Sequence, residues 1–204
     1  MRLLVFGGSF DPVHCGHEAM ADAAWQGVQP DRFLWIPSGH APHKPALAPA
    51  AAELRVAFLR QVLADRPREE LCLLEVNRPA PSYSVDTMQA LRAQMPTAEI
   101  HFLLGSDSLA HLAGWRELER LFELVHFVFA PRRGWPEAAL TAFTSALPED
   151  LRPRFHGRFL TMPPVDISST AIRAALARGE AAAGLHPGVL DLIRRAGCYG
   201  ARPS

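Results

Sequence analysis

Two histidines three positions apart, His14 and His17, close a segment that opens on paired glycines, GGSFDPVHCGH from Gly7 to His17. Neighbouring imidazoles can donate N–H bonds to oxygens whose charge grows as a phosphorus centre is attacked. That is electrostatic stabilisation of a transition state, and it requires no covalent enzyme intermediate. Gly7 and Gly8 permit a sharp turn and a close backbone approach, Ser9 adds a hydroxyl donor, and Gly16 keeps open the space between the two rings. A second stretch, ISSTAIR from Ile167 to Arg173, offers the hydroxyls of Ser168, Ser169 and Thr170 at a helix start with Arg173 one turn on. It reads as a second anion site.

The elements that must position these groups follow from periodicity. Leu3 to Phe6 is a short continuous apolar run ended by glycines, as expected of a strand buried on both faces, and helical spacing of Met20, Ala23, Ala24 and Trp25 predicts a helix from His17 to about Gly27. The glycine turn therefore joins the end of a strand to a helix N-terminus, where unpaired N–H groups and the positive dipole end meet an anion. Further strands are expected at Phe33 to Ile36, Leu71 to Val76, Glu99 to Leu104 and Val125 to Ala130, with helices at Ala50 to Asp65 and Ser84 to Met95. After Gly134 the pattern weakens to a helix up to about Leu147, a strand at Arg158 to Met162, and helices near Ser169 to Arg178 and Pro187 to Arg195. Alternating strands and helices bury themselves as a doubly wound α/β fold with a parallel sheet, here a single domain over residues 1–204 with a small helical extension at the C-terminal end. Ligands of such sheets bind beyond the carboxyl ends of the strands, from which the loops after Phe6, Ile36, Val76 and Leu104 all leave.

Composition narrows the partners. A formal net charge of zero gives no overall field to recruit nucleic acid or an anionic membrane, although local arginines and histidines can still hold a small phosphorylated ligand. Cys15, Cys72 and Cys198 are odd in number and form no CxxC pair, which points to a reducing, cytoplasmic setting. No apolar stretch approaches the ~18 residues of a membrane span. A homo-oligomer is compatible with everything read so far.

GGSFDPVHCGH resembles the signature of the HxGH nucleotidylyltransferases, and specifically of the bacterial nicotinate mononucleotide adenylyltransferases. VDISSTAIR, Val165 to Arg173, is similar to that family's second phosphate motif, and RPAPSYSVDT, Arg78 to Thr87, and LLGSDSL, Leu103 to Leu109, followed by Trp115, are similar to its mononucleotide-binding loops. The resemblance implies a Rossmann-like fold and attack by the phosphate of nicotinate mononucleotide on the α-phosphorus of ATP. Nicotinate adenine dinucleotide and pyrophosphate would form, a step of NAD biosynthesis, with Mg²⁺ accompanying the nucleotide and no metal-binding residues assigned to the protein. Carried over by residue, it makes His14, His17 and Arg173 catalytic. It also assigns Gly7, Gly8, Ser9, Phe10, Gly16, Gly105, Asp107, Ser168 and Ser169 to ATP and its phosphates, and Lys44, Ser84, Trp115 and Arg116 to the mononucleotide. Lys44 would neutralise charge, Asp107 accept from a ribose, Trp115 stack on the pyridine and Ser84 meet the nicotinate carboxylate. Arg116 stands where some members of the family have an aromatic residue, and its charge is expected to favour the acid over the amide.

Rival readings use the same residues. His14 with His17 and His40 with His43, beside Asp107 and His111, is a set that a metallohydrolase could use, but the glycine turn and the second phosphate motif then have no purpose. Another HxGH transferase would share the first motif, whereas PSYS and SSTAIR favour the nicotinate family. A nucleotide-binding regulator without catalysis would not need both histidines and Arg173.

Overall fold

The computed structural model describes residues 1–39, 50–164 and 166–201. Arg2–Gly8 forms strand β1, and Leu3 to Phe6 are buried on both its faces as the unbroken apolar run requires. In chain order there follow α1 (Cys15–Val28), β2 (Arg32–Pro37), α2 (Ala52–Leu63), β3 (Glu70–Leu71), α3 (Ser84–Gln94) and β4 (Glu99–Gly105). Then come α4 (Leu109–Leu112), α5 (Leu118–Leu124), β5 (Val125–Ala130), α6 (Ala138–Ala146), β6 (Gly157–Phe159), α7 (Ser169–Ala177) and α8 (Pro187–Ala196).

The six strands pair in the order β3-β2-β1-β4-β5-β6, every pairing parallel. Side-chain alternation divides the core in two. Leu3 and Val5 face one layer with Val85, Met88 and Leu91 of α3 and Leu121 of α5, while Leu4 and Phe6 face another with Met20 of α1, Leu59 of α2, Ile172 of α7 and Ile193 of α8. Strand order reverses between β1 and β4, so the crevice for a ligand lies where those two strands end, at Gly8 and Gly105.

Several boundaries differ from the sequence expectation. The third strand stops at Leu71 instead of reaching Val76: the Cys72 N–H still donates to the Trp35 carbonyl at 2.9 Å, but Asn77 N–H turns back to Leu73, and the turn carries Glu75 inward. The helix expected to start at His17 starts at Cys15, which makes His14 its N-cap. The last strand is Gly157–Phe159 instead of Arg158 to Met162, because its register against β5 begins at Gly157 opposite Phe127. Helices α4 and α5, of 4 and 7 residues, were not anticipated; they are too short for a helical period to stand out.

Candidate active site

The glycine turn is built by packing. A Cβ on Gly7 would stand 3.3 Å from the Phe102 ring, and one on Gly8 3.1 Å from the Phe10 ring, so aromatic side chains close against both positions. Phe10 has φ of 48° and folds its ring into the core, 1 % exposed, against Phe6 and Trp35. It shapes the turn from beneath, with its ring turned into the core.

That floor carries the histidines. The His17 ring lies 5.2 Å from Phe10 and 3.8 Å from the His14 ring, centroid to centroid. His14 N–H donates to His17 Nδ1 at 3.2 Å, so the His17 proton resides on Nε2 and that edge is the donor. His14 is 1 % exposed; burial first, and the Arg132 charge second, push its pKa down to about 4. It is neutral at pH 7 and one of its nitrogens carries a proton. Gly16 is buried within the first turn of α1, where it leaves the approach to both rings unobstructed by a side chain of its own.

The second motif docks on the first. Ser168 caps α7, its hydroxyl accepting from Ala171 N–H at 3.2 Å, while Ser169 Oγ donates to the Pro12 carbonyl at 2.9 Å. Arg173 Nη1 donates to the Asp11 carbonyl at 2.7 Å and lies 3.6 Å from the Asp11 carboxylate, which also accepts from Ala50 N–H at 3.0 Å and from the Tyr199 hydroxyl. Of the three hydroxyls expected to cap, Ser168 alone does so; Ser169 is the tie to the signature turn.

Arg132, just past β5, was missed. Its Nη1 donates to the Ile167 carbonyl at 2.8 Å, its N–H donates to Ser106 Oγ at 2.9 Å, and its Nε lies 3.7 Å from Asp107 Oδ1. Gly105 accommodates this meeting, since a Cβ there would stand 2.4 Å from Asp107 Oδ1 and 3.2 Å from Arg132 Nε. One signal was available: Arg132 lies two residues past the carboxyl end of a parallel strand, where ligands of this fold class bind.

A cavity of about 610 Å³ opens beside the turn, lined by Gly8, Ser9, Ser84, Asp107, Trp115 and Arg116 among others. All six are expected from the sequence, from the end of β1 and the turn after it, from α3 and from the segment after β4, and the fold brings them together. Ser84 begins α3, Trp115 lies 6.1 Å from Phe102 ring to ring, and the Arg116 guanidinium sits 4.7 Å above the Tyr83 ring. Lys44, with His40 and His43, lies outside the described residues. Among the described residues no three histidine, cysteine, aspartate or glutamate side chains form a metal-holding group, and no helix is long and apolar enough to cross a membrane.

Comparison with known proteins agrees with this architecture. A cytidylyltransferase-like family model matches residues 5–175. The chain is 38 % identical to the probable nicotinate-nucleotide adenylyltransferase of Gloeobacter violaceus, covering 97 % of this chain and 96 % of that protein. It is 35 % identical to the corresponding protein of Shewanella putrefaciens, covering 98 % and 99 %. In fold it matches a Plasmodium falciparum nicotinic acid mononucleotide adenylyltransferase complexed with NaAD, with a TM-score of 0.79, 18 % identity and 98 % of each chain covered. With the signature turn, the docked second motif and full-length relatives in agreement, the chain belongs to the nicotinate-nucleotide adenylyltransferase family of cytidylyltransferase-like proteins.

Proposed function

We propose that this protein transfers the adenylyl group of ATP to nicotinate mononucleotide, releasing pyrophosphate and forming nicotinate adenine dinucleotide. The observation that carries the reading is the docking of Arg173 and Ser169 onto the turn that ends in His14 and His17, while Gly7, Gly8 and Ser9 of the same turn line the cavity. Relatives named for this reaction along nearly the whole chain support it.

The mononucleotide phosphate attacks the α-phosphorus of ATP in line, the new P–O bond forming as the bond to pyrophosphate breaks. His17 Nε2–H and the neutral His14 donate to the oxygens on which charge accumulates, and Arg173 and Arg132 hold the departing phosphates. Asp107 takes a ribose hydroxyl. In the mononucleotide half Trp115 stacks on the pyridine and Ser84 meets its carboxylate. Mg²⁺ accompanies ATP, an ion of the kind held mainly by substrate phosphates and water. Bound there, it would neutralise phosphate charge.

The reading is tested by incubating the protein with ATP, Mg²⁺ and either nicotinate or nicotinamide mononucleotide, with products followed by chromatography and mass spectrometry. Dinucleotide from the acid in clear preference to the amide is expected. No dinucleotide from either would refute the assignment and direct the search to other acceptors of HxGH transferases.

A further inference from the structure

Two buried charges, Glu75 on the cavity wall and Arg55 behind it, have no role in the phosphate chemistry proposed above. Arg55 of α2 is 1 % exposed, and among the described residues its guanidinium donates to backbone carbonyls: Nε to Ala50 at 3.0 Å, Nη1 to Ser9 at 2.8 Å, and Nη2 to Ser38 at 2.7 Å and Gly39 at 3.2 Å. Glu75, in the turn after β3, is 9 % exposed; its carboxylate accepts from Thr87 Oγ1 at 2.8 Å and from the Gly39 N–H. Arg78 Nη2 donates to the same Thr87 oxygen at 2.9 Å.

Gly39 is thus gripped from both sides, its carbonyl by a cation and its N–H by an anion. A side chain has no room there, because a Cβ would stand 2.3 Å from the Glu75 carbonyl oxygen and 2.8 Å from Ser82 Oγ. Burial disfavours both charges, lowering the pKa of Arg55 and raising that of Glu75. Apolar residues of similar volume often stabilise a fold as well as such buried ions or better, so stability alone does not account for them. What they fix is the cavity wall: Ser9, Ser38, Glu75 and Thr87 all line it, alongside Ser84 and Trp115.

We propose that Arg55 and Glu75 are positioning residues that act as an opposed-charge clamp, holding the exits of β1 and β2 and the N-terminal turns of α3 in the geometry that binds the mononucleotide. The proposal rests on the adenylyl-transfer reading above. Glu75 bonds to Thr87 and Gly39 at the α3 side of the cavity and serves the mononucleotide, whereas Arg55 also holds Ser9, in the same turn as His14 and His17.

The test is steady-state kinetics of Glu75→Gln and Arg55→Lys with each substrate varied in turn, alongside thermal unfolding. In Glu75→Gln the KM for nicotinate mononucleotide should rise about tenfold while that for ATP moves less than about twofold, and in Arg55→Lys, which also loosens Ser9, both KM values should rise. A variant that is merely less stable has fewer active molecules, which lowers the apparent kcat and leaves both KM values in place; that result would overturn the clamp. Should either variant fail to fold, the near-isosteric Thr87→Val carries the same test: a raised mononucleotide KM supports the proposal and an unchanged one overturns it. A wild-type protein that makes no dinucleotide would instead bring down the reaction itself, and the clamp with it.

Discussion

Arg173 Nη1 donates to the carbonyl of Asp11 at 2.7 Å, joining residues 162 positions apart in the chain. The bond ties α7 to the loop after β1, where the proposed reaction places the phosphates of ATP. A guanidinium can keep this anchor with one nitrogen and turn the others to a ligand, which an ammonium cannot.

Arg173→Lys is therefore expected to lose on the order of 10²-fold in kcat with its fold retained, the scale typical of losing one oriented donor. Circular dichroism and initial rates on one preparation decide this. Rates within about threefold of wild type would argue that the fork geometry is unimportant.

Arg132 is the smaller of two causes that depress His14, burial being the larger. Replacing it with Met should raise the His14 pKa from about 4 without restoring its ordinary value of 6.5, as followed by NMR titration of the ring. The same variant should raise the KM for ATP by roughly tenfold, the weight of a hydrogen bond from a charged group. An unmoved His14 titration would mean that the two residues do not sense each other.

Arg116, above the Tyr83 ring next to Ser84, puts a positive charge on the cavity wall. Arg116→Ala should reduce the preference for nicotinate over nicotinamide mononucleotide by about tenfold in kcat/KM, chiefly through the acid substrate. Competition between the two substrates in one reaction measures this ratio; unchanged discrimination would remove Arg116 from acid recognition.

Acid should destabilise the protein. His14, His101 and His126 all have lowered pKa values, in each case with burial as the first cause. Glu99 opposes the shift at His101 and His126; around His101 it is reinforced by His126, Arg158 and Arg2, and around His126 by His156 and Arg92. A depressed cationic group binds fewer protons folded than unfolded. The associated stability is complete above the unfolded value near 6.5 and is lost as pH falls toward the folded values, about 4 for His14. Tm should drop between pH 7 and pH 5, and His101→Gln, on the strand end remote from the site, should make the drop smaller. A Tm independent of pH across that window would contradict the assignment.

The parts of the site that were legible in the sequence are local ones. Gly7, Gly8, His14 and His17 sit within one strand-turn-helix, and the apolar runs of β1, β2, β4 and β5 announce themselves. The hidden parts depend on distant partners. Arg55 reads as an exposed helix arginine until Ser9, 46 positions away, is brought against it. Glu75 reads as part of a strand because Leu71 to Val76 is mostly apolar, although pairing with β2 ends at Leu71. Arg132 and Arg133 read alike, yet Arg132 lies under Asp107 and Ile167 while Arg133 is exposed and pairs with Asp166. Phe10 carries the opposite lesson: within the glycine turn its ring is packed into the core beneath.

The central claim is that His17 donates to the reacting phosphate, and the most direct measurement is single-turnover transfer from ATP labelled at the α-phosphorus by a folded His17→Ala protein. Label should enter the dinucleotide with the wild-type enzyme, and the substitution should slow its transfer by about 10²–10³-fold while the unfolding transition stays cooperative. Transfer at the wild-type rate by folded His17→Ala would contradict the account.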